Sequence, residues 1–207
     1  IHYLTPDNPM VFGSYTDETN TLELRYLSHQ AMQQAMTRIE SVAREYQAAF
    51  GLYHGGLIDT YGAEDAEVIL VAMGSTVSTL REAVDCLRAE GAKVGLVKIR
   101  SYRPFPGEAL RQAVSGAGAV VVLDRAMSMG FQGILAADVK AALYDSPRRP
   151  LVLGMLAGYG GREVTLDTVR TLVDRARKAL DAGQTGAEPA FVGLQAALLP
   201  PAGQKAI

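Results

Sequence analysis

Cysteine is almost absent. Cys86 stands alone among 207 residues. One thiol forms no internal disulfide, and an iron–sulfur cluster takes four thiolates, so any such cluster belongs to another chain or domain. A lone cysteine fits a reducing cytoplasm. Histidine is scarce as well: His2, His29 and His54 are scattered, and neither H-x-x-x-H nor C-x-x-C spacing occurs, which argues against a metal site. Excess charge is missing. The formal net charge is −2, which leaves no electrostatic case for nucleic acid or an anionic membrane surface. The longest apolar run, residues 150–161, is broken by glycines and falls short of the roughly 20 residues a membrane span needs. No charged-then-apolar signal segment follows Ile1. A G-x-S-x-G elbow is also lacking, since Ser75 follows Met73-Gly74.

What is present has the balance of a soluble globular chain, 48% hydrophobic and 20% charged. The length allows one domain plus an extension and a core that needs neither disulfide nor metal. Residues 1–22 are rich in Pro, Gly, Asn, Asp and Thr without apolar period and read as an extended linker. Residues 23–55 hold a long helix and a loop. Met32, Met36, Ile39, Ala43, Tyr46 and Phe50 recur at steps of four and three, a narrow stripe expected to join the core, and Gly51 is the expected stop.

Residues 56–183 read as an α/β domain. Apolar, β-branched runs predict strands over 67–73, 93–99, 119–123 and 151–156, with GLIDTY as a short edge strand. Helical periods lie between and after them, over 76–90, 107–114, 130–144 and 166–182, the last between an N-cap Thr165 and a stop at Gly183. Continuous apolar strands alternating with helices imply a mainly parallel sheet in a three-layer α/β sandwich. Residues 184–207 form an Ala-, Pro- and Gly-rich docking tail, with residues 191–194 as its anchor.

In such a sheet, ligands gather outside the carboxyl ends of the strands, where helix N-termini offer free N–H groups. Four turns belong there: residues 74–76, 100–106, 124–130 and 158–162. The candidate residues are Gly74, Ser75, Arg100, Arg103, Asp124, Arg125, Ser128, Gly130, Gly161 and Arg162, and their four arginines suit a carboxylate, a phosphate or a partner chain. Plainer readings stand beside these. Ser75 is also an N-cap serine, Arg100 and Arg103 also suit local ion pairs, and Gly160-Gly161 also suit a tight turn. Cys86 on the first sheet helix suits a small buried hydrophobe. Glu64 and Asp65 read as a solvated turn. No self-contained catalytic constellation emerges.

The same turns carry a resemblance. Residues 71–106, VAMGSTVSTLREAVDCLRAEGAKVGLVKIRSYRPFP, resemble the α-subunit segment of pyruvate:ferredoxin oxidoreductases and their 2-oxoacid relatives, where a strand ends in Met-Gly-Ser and the next runs into Arg-Pro-Phe-Pro. VVLDRAMSMGFQG (121–133) resembles the family's Asp-Arg turn, and GYGGREVT (158–165) its Gly-Gly-Arg-Asp-Val-Thr turn, with Glu163 in place of Asp. TPDNPMVFG and LRYLSHQAMQQAM resemble the stretch that links the family's first two domains.

The resemblance implies a transketolase C-terminal-like domain in an enzyme that decarboxylates a 2-oxoacid on thiamine diphosphate with magnesium. It implies that electrons pass through iron–sulfur clusters on other subunits or domains to ferredoxin or another acceptor, and that the acyl group passes to coenzyme A. Other subunits of β, γ and δ type are the implied partners, in the cytoplasm. The thiamine-contacting glutamate of the family lies upstream of Ile1, so no catalytic residue is carried over, and a subunit-organising role is expected. Pyruvate is the default substrate the resemblance implies, and three alternatives stay open: an aromatic or branched 2-oxoacid such as phenylglyoxylate, indolepyruvate or 2-oxoisovalerate; the C-terminal domain of another thiamine enzyme; and a free-standing, non-catalytic α/β module for an anion or partner.

Overall fold

The computed structural model describes residues 3, 5–10, 13, 15–186 and 189–200. His2, Val11 and Phe12 of the opening stretch, and residues 201–207 of the tail, lie outside the described residues. Six strands form one sheet: β1 (Ile58–Tyr61), β2 (Val68–Ala72), β3 (Val94–Ile99), β4 (Ala119–Asp124), β5 (Leu151–Leu156) and β6 (Ala190–Phe191). Side by side they run β1-β3-β2-β4-β5-β6. β1 lies antiparallel to β3, and the other pairings are parallel. The chain therefore winds from β2 to β3 on one side and from β4 to β5 on the other, which makes a switch point between β2 and β4.

Alternation along each strand feeds two cores. Val68 and Leu70 face the cluster built with α2 (Thr76–Ala89) and α5 (Leu166–Ala182). Ile69 and Val71 face the cluster built with α3 (Gly107–Ala113) and α4 (Ile134–Leu143). Helices on both faces make the three-layer, mainly parallel α/β sandwich. β2 is buried at every position because it has strands on both edges and helices on both faces. One close approach demands glycine: a Cβ at Gly95 of β3 would lie 2.5 Å from the Gly62 carbonyl oxygen and 2.7 Å from the Ala63 Cα.

Three expectations need correction. Helix α1 (Thr21–Phe50) ends at Gly51 as expected, with φ +71°, but it buries none of its residues. Its methionine stripe is not core in this chain, because no helix or strand of the α/β sandwich is laid along it. The helix touches that body chiefly at residues 54–57, where the Leu57 N–H donates to Glu40 Oε1 at 2.7 Å. Cys86 is half-buried rather than enclosed, since α2 turns Val77, Leu80, Ala83, Val84 and Leu87 inward instead. α4 starts at Ile134 rather than Gly130, because Met127 bridges to Gly133 and residues 127–133 close into a loop. The tail adds β6, whose neighbour Val192 donates its N–H to Leu156 O at 2.9 Å.

Candidate functional site

The four parallel strands β2 to β5 end on one edge, so the turns that follow them share a rim. The rim is not one cluster. Arg100 is tied to the Gly55 carbonyl and, with Ser101, lines an apolar groove of about 490 Å3 under α1, between Ile39, Val42, Tyr46 and His54. Arg103 pairs with Asp138 of α4 at 2.8 Å and lies over the Tyr102 ring, 4.2 Å from its centroid. The ion-pair reading therefore holds for Arg103, whereas Arg100 meets a backbone carbonyl.

Asp124 ends β4, and 5% of it is exposed. One carboxylate oxygen accepts from the Leu135 N–H and the other from the Ala136 N–H, each at 2.9 Å. Asp124 thus caps α4 across a loop, and no sequence spacing announces such a cap. Burial raises its pKa, the two backbone N–H groups oppose that rise, and nearby Asp138 adds to it. Gly133 makes the fit possible, because a Cβ there would lie 2.2 Å from Asp124 Oδ2. Ser128 works through its backbone: its N–H donates to Gln132 O at 2.9 Å, and its carbonyl accepts from Phe131 N at 3.0 Å. Gly130, at φ +78°, turns that loop, and Met129 (81% exposed) and Phe131 (62%) project from its tip.

The remaining candidates converge. Ser75, Arg125, Gly161 and Arg162 line one cleft together with Thr76, Thr79, Glu163 and Val164. Gly74 sets up this wall with φ +69° between β2 and α2. Ser75 precedes α2 but forms no side-chain cap. Arg125 Nε donates to Gly158 O at 3.1 Å, and Arg162 donates to the Gly193 carbonyl, which fastens the tail to the rim. Gly160 and Gly161 take φ of +66° and +87° and let this turn fold back. Thr76 lay in the expected turn 74–76 without being singled out, and Thr79 was not legible as a site residue, since threonines in a first helical turn carry no motif.

Among the described residues, neither a carboxylate cluster for magnesium nor the four thiolates of an iron–sulfur cluster come together. Among the described residues no three His, Cys, Asp or Glu side chains gather to hold a metal. Asp124, the buried carboxylate of the rim, has both oxygens engaged, and Cys86 is a single thiol. Among the described residues, no helix is long and apolar enough to cross a membrane.

Residues 66–169 match the family model described as pyruvate:ferredoxin oxidoreductase core domain II. The chain belongs to that family. The matched span runs from the approach to β2 through the start of α5, so it contains every rim turn. Among curated relatives, the pyruvate synthase subunit PorA of Methanosarcina barkeri is 42% identical over 95% of this chain and 49% of its own length. PorA of Methanothermobacter thermautotrophicus is 42% identical over 83% of this chain and 44% of its own. The ketoisovalerate oxidoreductase subunit VorA of Pyrococcus horikoshii is 36% identical over 88% of this chain and 46% of its own. This core domain II chain thus spans about half the length of the curated relatives it matches.

Proposed function

We propose that the chain is the C-terminal part of an α-type subunit in a 2-oxoacid:ferredoxin oxidoreductase of the pyruvate synthase type. One observation carries the reading: 95% of the chain aligns at 42% identity with a pyruvate synthase subunit. The whole enzyme would convert a 2-oxoacid and coenzyme A to acyl-CoA and CO2. Thiamine diphosphate, held on other parts of the complex, supplies the electron sink for decarboxylation, and electrons leave one at a time through iron–sulfur clusters on other subunits to ferredoxin. The enzyme works in the cytoplasm.

In this reading the chain contributes assembly rather than reacting groups. Support comes from the rim, where the buried carboxylate is spent on a helix cap, and from α1, none of whose residues this chain fully buries. The strand-end arginines meet a neighbouring subunit or an anionic part of coenzyme A. Charge reversal at Arg103 or Arg162 is expected to weaken assembly or to raise the coenzyme A requirement. Normal assembly and normal kinetics in both variants would remove this role.

A branched substrate is the second reading, favoured by the 36% identity to a ketoisovalerate subunit. A panel of 2-oxoacids, run on the intact complex with coenzyme A and a viologen acceptor, separates the two. Pyruvate turned over fastest supports the first reading, and 2-oxoisovalerate turned over fastest supports the second. A colourless, stable monomer that co-purifies with neither iron nor thiamine would sink both.

A further inference from the structure

The turns after β2, β4 and β5 enclose a cleft of about 200 Å3, on the carboxyl edge beside the switch point. Its donors are short of acceptors. Thr76 lines the cleft, is only 7% exposed, and its hydroxyl has no hydrogen-bond partner among the described residues. The hydroxyl oxygen itself still meets solvent, so it is free to donate to a ligand in the cleft. The N–H groups of Ser75 and Thr76, at the start of the 14-residue α2, also lack acceptors among the described residues. The start of α4 is capped by Asp124 and that of α5 by Thr165. Arg125 and Arg162 each hold one backbone carbonyl, and neither has a carboxylate partner among the described residues. Glu163 supplies the opposing charge of the lining.

We propose that this cleft binds a phosphate group, with the first turn of α2 and the Thr76 hydroxyl on one side of it and Arg125 and Arg162 on the other. Donor number and the spread of the donors over three turns select phosphate over carboxylate. A carboxylate offers two oxygens in one plane, whereas donors arriving from three separate turns match a tetrahedral anion. Two guanidinium groups and the positive end of a helix, set against Glu163, also suit a charge nearer −2 than −1. The phosphate is either the free ion or the phosphate arm of a nucleotide-bearing ligand.

Equilibrium dialysis of the purified full-length protein with radiolabelled inorganic phosphate tests this without any turnover, so it stands or falls apart from the reaction proposed above. The expected result is saturable binding of one phosphate per chain that acetate displaces poorly. Thr76→Val, nearly isosteric, should weaken binding about 5-fold at an unchanged melting temperature, and Arg162→Gln about 10-fold or more. Adenosine 3′,5′-bisphosphate binding more tightly than inorganic phosphate points to the nucleotide source, and equal or weaker binding points to the free ion. No saturable binding, acetate competing as well as phosphate, or equal affinity in both variants overturns the site.

Discussion

Replacing Asp124 with alanine strips the acceptors from two N–H groups inside the protein. Leu135 and Ala136 are both fully buried, so water does not replace the lost carboxylate. An unsatisfied buried donor costs about 1–3 kcal/mol, and two of them would cost about 2–6. Relief from burying a charge offsets part of this, which leaves roughly 2–4 kcal/mol for Asp124→Ala. For a chain of this size that lowers the melting temperature by roughly 4–16 °C. Asp124→Asn keeps one acceptor and turns an amide N–H against the other donor, so it should cost less, about 1–2 kcal/mol. The pH dependence gives a second handle. Burial raises the Asp124 pKa, so the folded state holds the proton more tightly than the unfolded chain does. Its contribution to stability therefore falls as pH climbs from the ordinary carboxylate range through the raised folded value, and levels off above it. Denaturant titrations of wild type and both variants across acid and neutral pH provide the assay, and the Asn variant should lose this slope. An alanine variant that melts within a degree of wild type would refute the capping argument.

Other expectations follow from packing and charge. Gly95→Ala forces a methyl group onto the backbone of Gly62 and Ala63, and should cost about 1–3 kcal/mol in denaturant titration. Leu80→Ala empties a fully buried position between α2 and the sheet, and should cost about 2–5 kcal/mol by the same measurement. The Arg170 guanidinium beside Glu90 holds that carboxyl below its usual range and ties α2 to α5. The stability it adds is present above the ordinary carboxylate range and is lost as pH falls through the lowered value. Because both groups are exposed, Glu90→Gln should lower the melting temperature only slightly, and added salt should shrink the difference from wild type.

The parallel strands were legible because strands covered on both faces are apolar throughout, and β5 and α5 carry the expected limits. Their order in the sheet was not, since periodicity within a segment says nothing of its neighbours. The α1 stripe misled for a related reason: period reports that a face wants cover, not that this chain provides it. At the rim, glycines and arginines marked the turns, but backbone carbonyls and Asp138 decided where Arg100 and Arg103 went. The cap from Asp124 to residues 135 and 136 spans a loop of nine residues, 125–133, a reach outside any local capping rule. Thr76 lay in the expected turn 74–76, but its place in the cleft came into view only with the structure.

Helix α1 also acts as a ruler. At about 1.5 Å per residue its thirty residues set a separation of roughly 45 Å between what joins its two ends. Each residue inserted would swing one end by about 100° relative to the other, so phase matters as much as length. A one-residue insertion near Ser28 would carry Tyr46 and the Glu40 grip on Leu57 out of step with the preceding stretch, whereas a seven-residue insertion would nearly restore the facing.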